Sequence, residues 1–396
     1  MSNKIIIIGA GYAGLVALEK LAKNPNNNIL LLDKNSYHFL QTDVYDLIAN
    51  EYDFAQVSVD MFSFCTAFQG NVSFQKELVT NVDFKNKKVI TQKQRIHYDY
   101  LVIAVGSRTK FVDSVKGLKE YAYGVKALHR AMYFKQKFEL SLFQKVQESG
   151  TLCTPINIVV AGGGLSGVEI AAQMASYAND FYKNNYFICN KLNIMIINSP
   201  AHILHGMDEK LIKASEKRLK ELHVKIITNR KVVEVTASSV TLSQGEVFPT
   251  DFMIYAGGIE PNALVYTLDL EKNAKGYIKT EETLQTTQYK EVFAIGDCTT
   301  LFEKGKPLAP TADIAEQMGA LCAKNITALI EKKNLQKHTI KSRGTLIALG
   351  RNYSVAKLFN FHFNGFFAYL AKKIVEKVYF KKLDTISKKG YLKIFS

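Results

Sequence analysis

The sequence predicts an α/β protein in which two parallel-sheet units of one design follow each other and a basic amphipathic segment closes the chain. Three observations predict it. IIIIGAGYAGLVALEKL (5–21) reads as strand, glycine turn and helix, and IVVAGGGLSGVEIAAQ (158–173) reads the same way. Residues 361–396 interleave aromatic and aliphatic residues with lysines. At 396 residues the chain exceeds a comfortable single core, so two or three domains are expected.

In the first unit, Lys4–Ile8 is a β-branched run too short for a helix and suited to a strand buried on both faces. Gly9, Gly11 and Gly14 follow in the pattern GxGxxG, and Ala13 to Leu21 carries apolar residues at helical spacing. The three glycines serve a tight turn, close backbone approach to a pyrophosphate, and close helix–strand packing, while the helix N-terminus offers unpaired N–H groups to phosphate oxygens. Asn28–Asp33 is the next strand. Its terminal Asp33 lies 19 residues past Gly14, where an acid grips a ribose hydroxyl.

The second unit repeats the pattern with Gly162, Gly164 and Gly167, a helix from Val168 to Met174, and a strand over Leu192–Ile197. This strand ends in Asn198 where the first ends in an acid. An amide can still bond a ribose hydroxyl, but it does not repel a 2′-phosphate as a carboxylate would. Three more strands close on glycine turns: Asp99–Gly106, Asp251–Asn262 with Gly257 and Gly258, and Glu291–Cys298 with Gly296 and Asp297.

Lys+Arg of 51 against Asp+Glu of 36 gives +15, which points to an anionic partner or surface. The five cysteines (Cys65, Cys153, Cys189, Cys298, Cys322) form no CxxC or CxxxxC, so no zinc site or redox dithiol is signalled and no metal is expected. A reducing compartment fits this usage. Met1–Lys4 runs straight into a strand, which is not the pattern of a cleaved signal peptide. No apolar run approaches the roughly 20 residues needed to span a bilayer.

The order GxGxxG, acid, YLVIAVG, GxGxxG, YAGGIEPN and FAIGD resembles the two-dinucleotide flavoprotein oxidoreductases. That resemblance implies two Rossmann-like dinucleotide-binding domains. The first holds FAD, with Asp33 and Lys34 on its adenosine ribose side, Gly106 at a strand end, and Asp297 near its ribityl and pyrophosphate portion. The second holds NADH, with NADPH left open by Asn198, and its nicotinamide lies under Gly257 and Gly258. Within the superfamily YHFLQTDVYDLIA (37–49) resembles the type II NADH dehydrogenases, in which a histidine, a glutamine and a tyrosine fall at the spacings of His38, Gln41 and Tyr45. Gly167-Val168-Glu169, APTADIAEQ (309–317) and GTLIALG (344–350) followed by Arg351 carry the likeness along nearly the whole chain.

The family resemblance implies electron transfer from NADH to a membrane quinone. Glu169, Gln317 and Asp313 stand at its catalytic positions, and His38 and Ala315 lie at the flavin. The implied domains are 1–112 with 290–330 for FAD, 113–289 for NAD(P)H, and 331–396 for membrane association. Departures are Thr42 and Ala309 for prolines, and Asp313 for the first of two pocket glutamines. A carboxylate there bonds a quinone only when protonated, or needs a neighbouring cation. His38 also fits a purely structural hydrogen-bonding role, and Glu169 also fits a role complementing a helix dipole.

In the tail, Phe367, Leu370, Ala371, Ile374, Val375 and Val378 share one helical face and Lys372, Lys373, Glu376 and Lys377 the other. This is the profile of a helix lying in an anionic membrane interface. A cover for the first domain and a homodimer contact share the pattern. Nucleic acid is not expected, since no binding motif accompanies the lysines. The whole reading is of a peripheral protein on the cytoplasmic face of the cell membrane. A sulfide:quinone oxidoreductase, working through cysteines such as Cys153, and a non-catalytic flavin-bound redox sensor are the competing readings.

Overall fold

The computed structural model describes residues 2–68, 70–148, 155–184 and 192–394. The β-branched run at the N-terminus becomes the central strand Asn3–Ile8 of a five-stranded parallel sheet. Its strand order is 292–294, 100–103, 3–8, 27–33, 72–76. Ile5 to Ile8 are buried on both faces, as an all-parallel sheet covered on both sides requires. The helix Tyr12–Leu21 lies on one face, crossed by Ala312–Ile330. That crossing is tight because Gly319 has no side chain; a Cβ there would overlap the Ala13 carbonyl oxygen.

A second parallel sheet repeats the design in the order 122–123, 252–255, 156–161, 192–197, 225–227. The chain passes between the sheets along Ser107–Thr109 and returns along Ile259–Pro261, and these two crossover strands pair antiparallel. Each unit also carries a three-stranded antiparallel sheet that the sequence reading did not anticipate: Val79–Asp83 with Lys88–Thr91 and Arg95–His97, and Val232–Val235 with Ser239–Leu242 and Val247–Pro249.

The chain ends in an antiparallel sheet (Gly344–Ala348, Ser354–Leu358, Phe361–Gly365) and the long helix Phe366–Ile394. Over residues 366–378 the helix has the two faces the sequence predicts, but Lys372, Lys373 and Glu376 of the polar face look inward, and only Lys377 of it is exposed. Lys372 and Lys373 are 6% and 7% exposed, whereas Phe367 and Val378 are 76% and 65% exposed. The expectation that these two lysines face an anionic membrane interface is corrected: they point into the protein, toward carboxylates packed there. Farther along, Gly390 lets the helix close on Met61–Thr66, since a Cβ would overlap Ser63 O. Among the described residues no helix is long and apolar enough to cross a membrane.

Candidate functional site

The two glycine turns are built alike, atom for atom. Gly9 has φ +108°, and a Cβ on it would overlap Ala104 O; a Cβ on Gly14 would overlap Gly9 O. In the second turn Gly162 has φ +117°, where a Cβ would overlap the Ala256 carbonyl, and Gly167 packs against Gly162 O. The middle glycines differ from these. Gly11 and Gly164 have nothing within 4 Å of where a Cβ would stand. Gly11 sits at φ −84°, ψ −175°, an extended geometry open to any residue. It is therefore glycine for the space in front of it, the space a pyrophosphate needs at a helix N-terminus. Both turns fit a dinucleotide.

Behind each turn a side chain from the next strand pins the backbone. Asp33 Oδ2 accepts the Ala10 N–H at 2.8 Å, and Oδ1 accepts that of Asn35 at 2.8 Å. Burial raises its pKa against these hydrogen bonds, and Lys34 stands exposed beside it. Asn198 takes the same place in the second unit: its Oδ1 accepts the Gly163 N–H at 3.0 Å. Its Nδ2 donates to Pro200 O at 3.0 Å and His202 O at 2.7 Å. This explains why an amide stands where the pattern expects an acid. A carboxylate would set a negative oxygen against two carbonyl oxygens. The sequence reading saw the missing acid but not the two acceptors that require a donor.

At the junction between the units, Gly106 (φ +67°) accepts the Asn262 N–H at 3.1 Å, and Gly258 O accepts that of Lys110 at 3.1 Å. Gly257 leaves room for the Tyr255 ring, which stacks on Phe111 with centroids 5.5 Å apart. Asp297 faces the same junction. Its Oδ2 accepts from Ser107 Oγ at 2.7 Å and from Lys126 Nζ at 3.1 Å.

The helix Ala312–Ile330, capped by Thr311 Oγ1, carries the remaining family positions. Ala315 is buried against the first unit. Gln317 Nε2 donates to Lys341 O at 2.9 Å. Asp313 accepts the Arg343 N–H at 3.1 Å and lies 3.3 Å from its Nε. The cation that a carboxylate at this place needs is thus Arg343. His38 is buried beneath the first turn. Ala10 O can only accept, so Nδ1 carries the ring proton (2.7 Å), and Nε2 accepts from the Tyr379 hydroxyl at 3.2 Å. Burial lowers the His38 pKa to about 4, so the ring is neutral near pH 7.

Glu169 belongs to a cluster that sequence reasoning missed. Its Oε1 accepts the Ala348 N–H at 3.0 Å and stands 3.9 Å from Lys372 Nζ. Lys372 also bonds Glu376, while Lys373 Nζ lies 2.6 Å from Asp46, 3.4 Å from Glu376 and 3.9 Å from Glu51. Gln173 donates to Asp46, and Thr42 Oγ1 links Tyr12 (3.1 Å) to Asp43 (2.8 Å). Five carboxylates therefore face two ammonium groups in a nearly dry space. They cannot all be ionised. Burial raises Glu169, Asp43 and Glu51 to about 7 each. The one hint in the sequence is DVYDL (43–47), two acids one helical turn apart among apolar residues.

Among the described residues Cys65, Cys298 and Cys322 are buried and free, and desolvation pushes the first two thiols up to about 12. Cys153, named in the sulfide reading, lies outside the described residues.

Two dinucleotide turns facing one junction, with a crossover between their sheets, define an oxidoreductase that brings two dinucleotides together. The chain belongs to the pyridine nucleotide-disulphide oxidoreductase family, which it matches over residues 3–319. The type II NADH:quinone oxidoreductase of Haemophilus influenzae is 27% identical over 90% of this chain and 87% of its own. That of Staphylococcus aureus strain NCTC 8325 is 27% identical over 94% of each. The resemblance read from the residues is thereby borne out. Among solved structures, NDH2 of Plasmodium falciparum in complex with NADH shares the fold at TM-score 0.86, with 19% identity over 99% of this chain and 98% of that one. The sulfide:quinone oxidoreductase of Aquifex aeolicus does so at 0.82, with 19% identity over 97% and 92%.

Proposed function

We propose that this chain is an FAD-dependent oxidoreductase that passes electrons from NADH to a membrane quinone without pumping protons. The observation that carries it is the repeated turn, with Gly11 and Gly164 each facing open space. FAD, when bound, supplies the two-electron relay between the two substrates. Residues 1–112 with 290–330 hold it, through the first turn, Asp33, Lys34, Gly106, Asp297 and Ala315. Residues 113–289 hold NADH, and Asn198 keeps the second turn in shape. Gly258 faces open space and leaves the junction room for the nicotinamide, while Gly257 beside it admits the Tyr255 ring.

The reaction NADH + H⁺ + quinone → NAD⁺ + quinol draws one proton from outside the two substrates. Glu169, raised to about 7, holds a proton near neutral pH and gives it up at little cost. Lys372 and Ala348 N–H steady the carboxylate that remains. Gln317 and the Asp313–Arg343 pair line the acceptor side. Arg343 keeps Asp313 occupied, so the carboxylate does not confront a quinone oxygen unpaired.

Residues 331–396 carry the membrane contact, on the cytoplasmic face. Support comes from the exposed stripe Phe366, Phe367, Leu370, Ile374, Val375 and Val378, continued by Phe359 and Phe361. Lys377, Lys381 and Lys389 are exposed alongside it and suit an anionic headgroup layer.

The test is anaerobic. NADH should bleach the visible flavin bands of the purified protein, and a short-chain quinone should restore them. Bleaching by sulfide with none by NADH would overturn the assignment. Sedimentation without lipid tells whether a second copy covers the apolar stripe instead.

A further inference from the structure

One half-buried contact spans the junction and belongs to neither turn. Lys126 follows the strand Ala122–Tyr123 of the second sheet and precedes the helix Leu128–Glu148. Its Nζ reaches out of that unit to Ser107 Oγ at 2.6 Å, on the outgoing crossover strand, and to Asp297 Oδ2 at 3.1 Å, in the first unit. Ser107 in turn donates to the same Oδ2 at 2.7 Å. The ion pair is mostly shielded, with side chains 22% and 19% exposed. Both contacts fall on Oδ2. Among the described residues Oδ1 takes no hydrogen bond, which leaves it free to accept one.

We propose that Lys126 is a positioning residue for the FAD site: with Ser107 it fixes Asp297 so that Oδ1 presents to a cofactor hydroxyl, and it offsets the carboxylate's charge beside the anionic diphosphate. The inference rests on reading Asp297 as an FAD-side residue. The physical reason is one of signs. A half-buried carboxylate next to a dianionic ligand repels it, and here screening by water is weak. One ammonium placed behind the carboxylate cancels that repulsion while leaving a lone pair in front. Because Lys126 is anchored in the other unit, occupancy of the first site is tied to the position of the second. Tyr277 lies close enough to sense the Asp297 charge, but it brings no cation.

The experiment measures FAD release from the full-length holoprotein, followed by the rise in free-flavin fluorescence. Lys126→Met should speed release about 10- to 100-fold, the range for losing a hydrogen bond to a charged group. Lys126→Arg should restore release to within about threefold of the native rate, since charge and donor return. Asp297→Asn should also loosen FAD. Adding Lys126→Met to it should change little, because the lysine acts through that carboxylate. Native release from Lys126→Met, or full additivity in the double variant, overturns the proposal. Native release from Asp297→Asn overturns the underlying reading of Asp297 instead, and the proposal with it. If Lys126→Met does not fold, Lys126→Gln and Ser107→Ala carry the same test, and native release from both overturns it.

Discussion

Replacing Glu169 with glutamine should make the protein more stable above neutral pH while slowing its acceptor reaction. Burial lifts this carboxyl from its ordinary 4.5 to about 7, and neither Lys372 at 3.9 Å nor the Ala348 N–H at 3.0 Å brings it back down. Between roughly pH 4.5 and 7 the folded protein thus holds a proton that the unfolded chain has released. Stability then falls as pH rises through that window. A shift of this size corresponds to about 3 kcal/mol at most by pH 8. Asp43 and Glu51 titrate in the same range and share the effect, so about 1–3 kcal/mol is expected of Glu169 alone.

Glutamine has the shape of the protonated acid, and its Oε1 can still accept from Ala348. Glu169→Gln should match the native protein at pH 5 and exceed it at pH 8, by about 1–4 °C in Tm. Thermal unfolding of FAD-saturated protein across pH 5–8.5 makes the comparison. Flavin bleaching by NADH should persist, while quinone turnover falls about 100-fold, the lower range for losing a positioned acid. A variant less stable than native at pH 8, by the same margin as at pH 5, would refute the reasoning. Glu169 would then be an ionised partner of Lys372 with no proton to give.

Three further outcomes follow from the geometry. Gly11→Val should yield folded protein without FAD, because its backbone is permissive and only the space in front is lost; a yellow Gly11→Val protein counts against the first turn as the FAD site. Asn198→Ala should destabilise by about 2–4 kcal/mol and raise KM for NADH, since one buried N–H and two carbonyls lose partners, and Asn198→Asp should be no better, as denaturant melts and steady-state kinetics will tell. Phe367→Ser with Ile374→Ser should shift the protein off anionic liposomes in a flotation assay while NADH oxidation with a soluble acceptor continues; unchanged flotation removes the apolar stripe from the membrane contact.

Both glycine turns, the strand and helix flanking each, and an acid at the end of the second strand were legible because each rests on residues within one stretch of about thirty; that Asp33 pins the Ala10 and Asn35 backbone was not. Local spacing carries local geometry. The neutral state of His38 was open in the sequence, since it depends on a carbonyl 28 residues before it and a tyrosine 341 residues after it. Asn198 looked like a weakened ribose contact; the donors it owes to Pro200 and His202 arise from a turn that no pattern announces. The charged cluster was the least legible of all. Asp46 and Lys373 are 327 positions apart, and neither hydropathy nor period relates them.

That separation also explains why the tail's orientation could not be read from its pattern. A helical stripe of apolar residues and a stripe of lysines define two faces but not which one is inside; the surroundings decide. Ordinarily the apolar face wins, because burying ammonium groups costs several kcal/mol each. Here Asp43 and Asp46 are buried and Glu51 and Glu169 largely shielded where the first and second units pack, and an excess of carboxylates there needs cations more than the helix needs cover. Lys372 and Lys373 answer that need and turn Phe367, Leu370, Ile374 and Val378 to the outside. The same cluster that can hold protons for the reaction thus presents the apolar stripe. Truncating the chain before Phe366 would strip the carboxylates of both cations along with the stripe, and it would confuse the two roles. Point substitutions on the outer face leave the cluster intact and separate them.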